Sequence, residues 1–155
     1  MIDRRRFVLA LAMTPLAAAL AACGKKGSWA DGMAEIKWDR DTCARCSMAI
    51  SDRRFAAEIV GGPQAKVFKF DDIGCVSFFI RDKVAEMPWL AEAATRLWVA
   101  DMTNQGEAIK WLDARTAHYI SKASPMAYNY AAVSHPQAMS VDFETMRQHV
   151  LAKGK

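Results

Sequence analysis

Residues 53–87 constrain the fold more than any other stretch of this chain. "RRFAAEIV" (53–60), "GGPQ" (61–64) and "AKVFKF" (65–70) read as strand, turn and strand. Gly-Gly-Pro is strong chain punctuation, and Phe68 and Phe70 share one face at a period of two. "DDIGCVSFFIRDKVAEM" (71–87) then changes to helical spacing, with Ile73, Val76, Ile80, Val84 and Met87 at steps of three and four. Asp71 or Asp72 supplies a cap, and Pro88 ends the helix. A hairpin and an amphipathic helix each have one apolar face to bury, so the expected class is α+β.

The second half repeats the scheme weakly at an offset of 42 residues. "RLWVADM" (96–102) reads as a strand, "TNQG" (103–106) as a turn and "EAIKWL" (107–112) as a strand. Asp113 falls where Asp71 did and opens an expected helical turn, "ARTAHYI" (114–120). "ASPMAYNYAAVSHPQAM" (123–139) reads as strand and loop. "VDFETMRQHVL" (141–151) reads as a terminal amphipathic helix with Phe143, Met146 and Val150 inward.

The N-terminus has the anatomy of an export signal. Arg4-Arg5-Arg6 precede about 16 apolar or small residues, Phe7 to Ala22, short of the ~20 a membrane span needs. Leu20-Ala21-Ala22-Cys23 looks like a lipobox, which makes Cys23 the lipidated first residue of the mature chain. Arg4-Arg5-Arg6-Phe7 also resembles a twin-arginine signal, with Asp3 where Ser or Thr is usual. Residues 1–22 are thus expected to be a signal, 23–35 a Gly- and Lys-rich flexible tether, and 36–155 the domain, in halves of about 36–90 and 91–155. A membrane-anchored lipoprotein facing the periplasm follows, and Gly24 after the anchor leaves the outer membrane open as destination.

Removing the signal leaves 133 residues with 18 basic against 16 acidic side chains. No basic stripe lies beside stacking aromatics, so nothing points to nucleic acid. The three cysteines that remain, 43, 46 and 75, are an odd number for an exported chain.

"CARCSMAI" (43–50) packs two cysteines and a methionine into six positions. In a strand, Cys46 and Met48 would share a face ~6–7 Å apart. Cys43 and Cys46 converge only in a turn or helix. Local backbone therefore decides between a C-x-x-C knuckle and a C-x-M chelate. A Cys43–Cys46 disulfide is credible outside the cytosol. A thioredoxin-like couple wants its C-x-x-C at a helix N-terminus after a strand, a frame absent here. Zinc wants four nitrogen or sulfur ligands, and one C-x-x-C pair supplies two. Copper(I) takes thiolate and thioether donors at low coordination number, which suits Cys46, Met48 and one further soft donor. Met48 alone reads as a packing methionine; its place beside Cys46 is what makes it a candidate.

The other polar candidates have simpler readings. Asp71 and Asp72 are explained by capping, with Asp71 a supporting neighbour of the site. Cys75 reads as a buried free thiol. Its functional alternative, by analogy with the organomercury-lyase scaffold, is nucleophile in carbon–mercury cleavage, which needs cooperating cysteines and an acid placed together. His118 and His135 stand in reserve as ligands, and His149 reads as solvated.

The run "CxxCxM…DRRFAAEI…FDDIGC", followed by "KWLDARTAHYI…SPMAYNYAAVSHPQA", resembles the nitrous oxide reductase accessory lipoproteins, the NosL family, over residues 36 to about 150. The resemblance implies a copper chaperone that is not an enzyme. It would pass Cu(I) toward nitrous oxide reductase or a related copper enzyme. It places the family's C-x-M on Cys46 and Met48 and its later Met on Met126, with Ala127 where a glycine is usual. Cys43 is an addition to that pattern: a second thiolate, or a partner for oxidation. The implied fold is two similar ββαβ units related to the organomercury-lyase scaffold. The alternative activity is a periplasmic thiol–disulfide reductase that uses Cys43 and Cys46 to maintain the thiols of a copper site.

Overall fold

The structure is a computed structural model describing residues 29–103 and 108–154. The expected signal (1–22), Cys23, the first part of the tether and most of the 103–106 turn lie outside the described residues.

The described residues form six strands and two α-helices: β1 (Ala57–Gly61), β2 (Lys66–Phe70), α1 (Ile73–Lys83), β3 (Arg96–Ala100), β4 (Trp111–Asp113), β5 (His118–Ser121), β6 (Tyr130–Val133) and α2 (Phe143–Ala152). The first four strands form an antiparallel sheet in the order β2-β1-β3-β4, and β5-β6 form a separate two-stranded ribbon. The class is α+β, as expected. Among the described residues no helix is long and apolar enough to cross a membrane.

The hairpin register follows from the sequence. Ala57 pairs with Phe70 and Ile59 with Phe68, so Phe68 and Phe70 lie on one face of the sheet, as their spacing predicted. That face receives α1: Phe79 meets Phe68 at 4.7 Å and Phe70 edge-on at 5.2 Å between ring centroids. Ile73, Val76 and Phe78 are buried with them. The opposite face carries Glu58, Lys69 and Trp98, and residues 29–41 cross it as a strap. The Ala34 N–H donates to Glu58 Oε1 at 2.8 Å, Lys69 Nζ pairs with Asp41 Oδ2 at 2.6 Å, and Arg96 pairs with Asp31 at 3.1 Å. Residues on β1 are thereby covered on both sides.

Two expectations need correction. Residues 114–120 are a turn followed by β5, not a helical turn, so His118 sits on a strand. The Asp113 carboxylate accepts the Arg115 N–H at 2.9 Å, closing a local turn after which "HYIS" extends to pair with β6. Second, β1, β2 and α1 follow the expected order within residues 36–90, whereas residues 91–155 run β3, β4, β5, β6 and α2, with a strand where the helix of a second similar unit was expected. The terminal helix forms close to its expected bounds, capped by Asp142 and burying Met146 and Val150.

Candidate metal centre

Residues 43–48 close a tight loop. Thr42 and Ala49 bridge its ends, the Cys43 N–H donates to Met48 O at 2.8 Å, and the Ser47 N–H donates to Cys43 O at 2.9 Å. Ser47 takes φ +61°, the left-handed conformation that lets so short a loop reverse. The backbone has therefore chosen the knuckle over the extended C-x-M arrangement. The Ala44 N–H donates to Lys69 O at 2.8 Å, tying the loop to the end of β2, just before α1 starts.

The start of α1 completes the site. Asp72 is the N-cap, accepting the Gly74 N–H at 2.8 Å. Asp71 is left free of capping, and the Cys46 thiol donates to its Oδ1 at 3.4 Å. The first turn of the helix presents Cys75 to the loop. One ligand atom from each of Cys43, Cys46, Asp71 and Cys75 then lies within 4.8 Å of the other three. Cys43, Cys46 and Cys75 are free thiols.

The three sulfurs differ in how they hold a proton. The Cys75 thiol donates to Cys43, and backbone N–H groups of Cys46 and Asp71 point at the same sulfur; together they lower the Cys43 thiol to about 7. Burial pushes Cys46 up to about 12, against the N–H of Met48, which favours its thiolate. Cys75 is raised as well, first because it donates to Cys43 and then by burial. Cys43 is thus the sulfur that loses its proton most readily, while the Cys46 thiol keeps its own toward Asp71.

Access runs the other way from reactivity. Cys43, the sulfur with the lowered pKa, is only 2% exposed, whereas Cys46 is half-buried and Met48 beside it is 57% exposed. A thiol–disulfide reductase needs its low-pKa sulfur within reach of a partner's disulfide. Here the reachable sulfur keeps its proton and the more readily ionised one is shut in.

Met126 lies in the 124–127 turn, partly buried against the core. Asp72 brings that turn to the helix start: its Oδ2 accepts the Met126 N–H at 3.3 Å and the Ser124 hydroxyl at 2.5 Å. Arg45 Nη1 donates to the Tyr128 hydroxyl at 2.7 Å, joining the cysteine loop to the same segment. Ala127 takes φ +56°, which is why a glycine would suit this position. Met48 thus sits on the cysteine loop itself and Met126 on the turn that Asp72 ties to the helix start. His118 is half-buried on β5 and His135 is exposed after β6; neither is among the four donors of the cluster. His149 Nδ1 shares a hydrogen bond with the Tyr130 hydroxyl at 2.7 Å.

Sequence reasoning missed Cys75 as a cluster member and undervalued Asp71. The odd cysteine was the available signal: with Cys43 and Cys46 paired in one turn, a third thiol four positions after Asp71, at the start of a helix, had a reason to be near them. The same arrangement meets the requirement stated for carbon–mercury cleavage, that cooperating cysteines and an acid be placed together.

No protein-family model matches the chain, and no curated protein does. Among solved structures, the chain is similar to the copper chaperone NosL from Shewanella denitrificans, at 16% identity over 77% of this chain and 88% of that one, with a TM-score of 0.48. The donor atoms gathered between residues 43 and 75 are this chain's own, and the functional reading is built on them.

Proposed function

We propose that this chain is a membrane-anchored Cu(I) chaperone that delivers copper to a client copper enzyme, nitrous oxide reductase or a relative of it. The observation that carries the reading is the convergence of three thiols and one carboxylate within 4.8 Å at the mouth of a loop bearing an exposed methionine. Cu(I) is soft and accepts two or three sulfur ligands, so Cys43, Cys46 and Cys75 supply a full set. Asp71 is a hard donor. Its chemistry suits holding the Cys46 proton in the metal-free form and receiving hydrogen bonds in the loaded one.

The residues divide the work of capture and release. Cys43, whose thiol is lowered to about 7, gives up its proton most readily on binding. Cys46 and Cys75 give up protons as they ligate, so affinity falls as pH drops. Met48, exposed on the loop, is a neutral soft donor that a cargo ion meets on its way in or out, and Met126 offers the same from the opposite turn. Exchange proceeds through an incoming client ligand that joins before a resident one leaves, which the open Cys46 side permits. Lipidation at Cys23 would keep the whole device at the membrane where the client matures.

Titration of the reduced chain with Cu(I) against a competing chelator tests this. Cys46→Ser and Cys75→Ser should each weaken binding by about a hundredfold or more, the scale on which losing one ligand or its support acts. Met48→Leu should keep affinity and slow transfer to an acceptor chelator. Wild-type affinity in Cys46→Ser and Cys75→Ser would overturn the reading. So would Zn(II) displacing Cu(I) at equal concentration, because the four donors also fit tetrahedral zinc.

The placement of Asp71 beside three sulfurs favours a second reading, protonolysis of a carbon–mercury bond. The Cys43 thiolate would bond to mercury, the carbon–mercury bond would break with its electron pair going to carbon, and a thiol proton from Cys75 or Cys46 would complete the hydrocarbon. Mercury would then remain on two thiolates. Methane release from methylmercury by the reduced chain checks it, and its absence would leave metal transfer as the activity.

A further inference from the structure

A second feature stands at the opposite edge of the sheet. Trp29, the first described residue, is stacked between Trp38 at 6.2 Å and Trp111 at 5.6 Å. Beside this ladder is an open groove of about 450 Å³, lined by Trp29, Ala30, Ala108, Ile109, Lys110 and Trp111. Lys110 reaches across to the buried Asp101 carboxylate at 3.5 Å while most of its side chain stays in solvent. Nothing in copper binding uses this surface.

We propose that this groove is where the domain rests on the lipid bilayer. The inference rests on the anchored reading above. Five residues, 24–28, separate Cys23 from Trp29. A fully extended chain covers at most ~3.6 Å per residue, so Trp29 stays within ~20 Å of an acylated Cys23. The groove begins at that residue and cannot leave the neighbourhood of the headgroups. Its make-up of tryptophan, small apolar side chains and a lysine is that of segments seated at a membrane–water boundary. Lys25 and Lys26 on the short connection add charge complementary to anionic headgroups.

The arrangement also orients the metal centre. The groove is on β4 and the cysteine loop hangs from β2, the two outer strands of the sheet. Three strand spacings, ~14 Å, lie between them. With β4 against the lipid, the loop carrying Cys46 and Met48 occupies the edge away from it, free for a client.

The test uses the full acylated chain, with the modification of Cys23 verified by intact mass, in nanodiscs of phosphatidylethanolamine and phosphatidylglycerol and, for comparison, in detergent micelles. Hydrogen exchange at residues 29–33 and 108–113 should slow several-fold in the nanodisc, while exchange at 43–50 stays the same. Ile109→Asp, whose folding is checked by circular dichroism, should lose that protection at equal acylation. Cu(I) affinity should be unchanged in the same variant, so failure of docking and failure of metal binding read out separately. Equal exchange in both environments with Cys23 acylated would overturn the proposal. So would protection in micelles that rises with protein concentration, which would mean a second copy of the chain fills the groove, or a Cys23 that carries no lipid.

Discussion

The segments β1–β2–α1 and β3–β4–β5 start from similar sequence patterns and end differently. Both have a hairpin with an aspartate at its end, 42 residues apart: Asp71 follows β2 and Asp113 is the last residue of β4. After Asp71 the chain has Asp72 as cap and "IGCVSFFI", apolar at helical spacing; a three-turn helix forms and packs on the sheet. After Asp113 it has "ARTAHYI", where Thr116, Tyr119 and Ile120 favour extended backbone. Asp113 closes only a single turn, and a strand follows. The difference matters because a helix start is what gathers Asp71 and Cys75 beside the cysteine loop. The second half keeps the hairpin and has no thiols, so it can support the site without forming another.

Substitutions at matched positions sharpen that contrast. The largest effect is expected at Gly74, where a Cβ would overlap the Tyr128 ring. Gly74→Ala should destabilise by about 3 kcal/mol and push residues 124–128 off the helix, because interior overlap of this kind cannot be relieved locally. Its counterpart Thr116 is exposed, and Thr116→Ala should stay within ~0.5 kcal/mol. Urea unfolding of both variants measures the pair.

Glu58 in β1 comes next; the residue 42 later is Ala100. Glu58 accepts one hydrogen bond, from Ala34, and its Oε2 has no partner among the described residues. Burial raises its carboxyl to about 7 from an ordinary 4.5. The folded state therefore keeps a proton that the unfolded chain gives up. The stability this contributes is complete below about pH 4.5 and is lost as pH climbs to 7, a fall of ~3 kcal/mol. Aspartates held low in the fold, such as Asp52 and Asp41, act below that window. Glu58→Gln should flatten unfolding free energy between pH 4.5 and 8; an unchanged slope would show that the titrating group lies elsewhere.

Asp72→Ala should cost ~2 kcal/mol, since it removes both a helix cap and the acceptor for Ser124 and the Met126 N–H. Asp113→Ala, which releases only a turn, should cost less than half of that. The smallest effect is expected at Ala127. Its φ of +56° strains any side chain, so Ala127→Gly should raise stability by about 0.5 kcal/mol after glycine's own entropy cost. A loss of stability there would mean the Ala127 methyl packs usefully.

Much of the first half was legible in the sequence because its signals are local. Period-two apolar residues, Gly-Gly-Pro and an aspartate before a helical run each act within a few positions. The second half misled because β4 and β5 depend on partners distant in sequence: Trp98 and Val99 for β4, Ala131 and Ala132 for β5. The site divides the same way. Cys43 and Cys46 stood out through spacing alone, and the question of knuckle or chelate was correctly posed as one of backbone. Cys75 could not be placed, because what brings it in is a long-range bond, Ala44 N–H to Lys69 O, which lays the loop against the helix start. Met48 stood out through its spacing to Cys46 and Met126 through the resemblance; the fold sets Met48 on the cysteine loop and ties the Met126 turn to the helix start through Asp72.

The most direct test of a shared three-sulfur centre is X-ray absorption on the Cu(I)-loaded chain beside its Cys75→Ser variant. Three sulfur neighbours in the wild type, falling to two in the variant, are the expected result. A copper shell of nitrogen and oxygen alone, or a sulfur count that Cys75→Ser does not change, would contradict it.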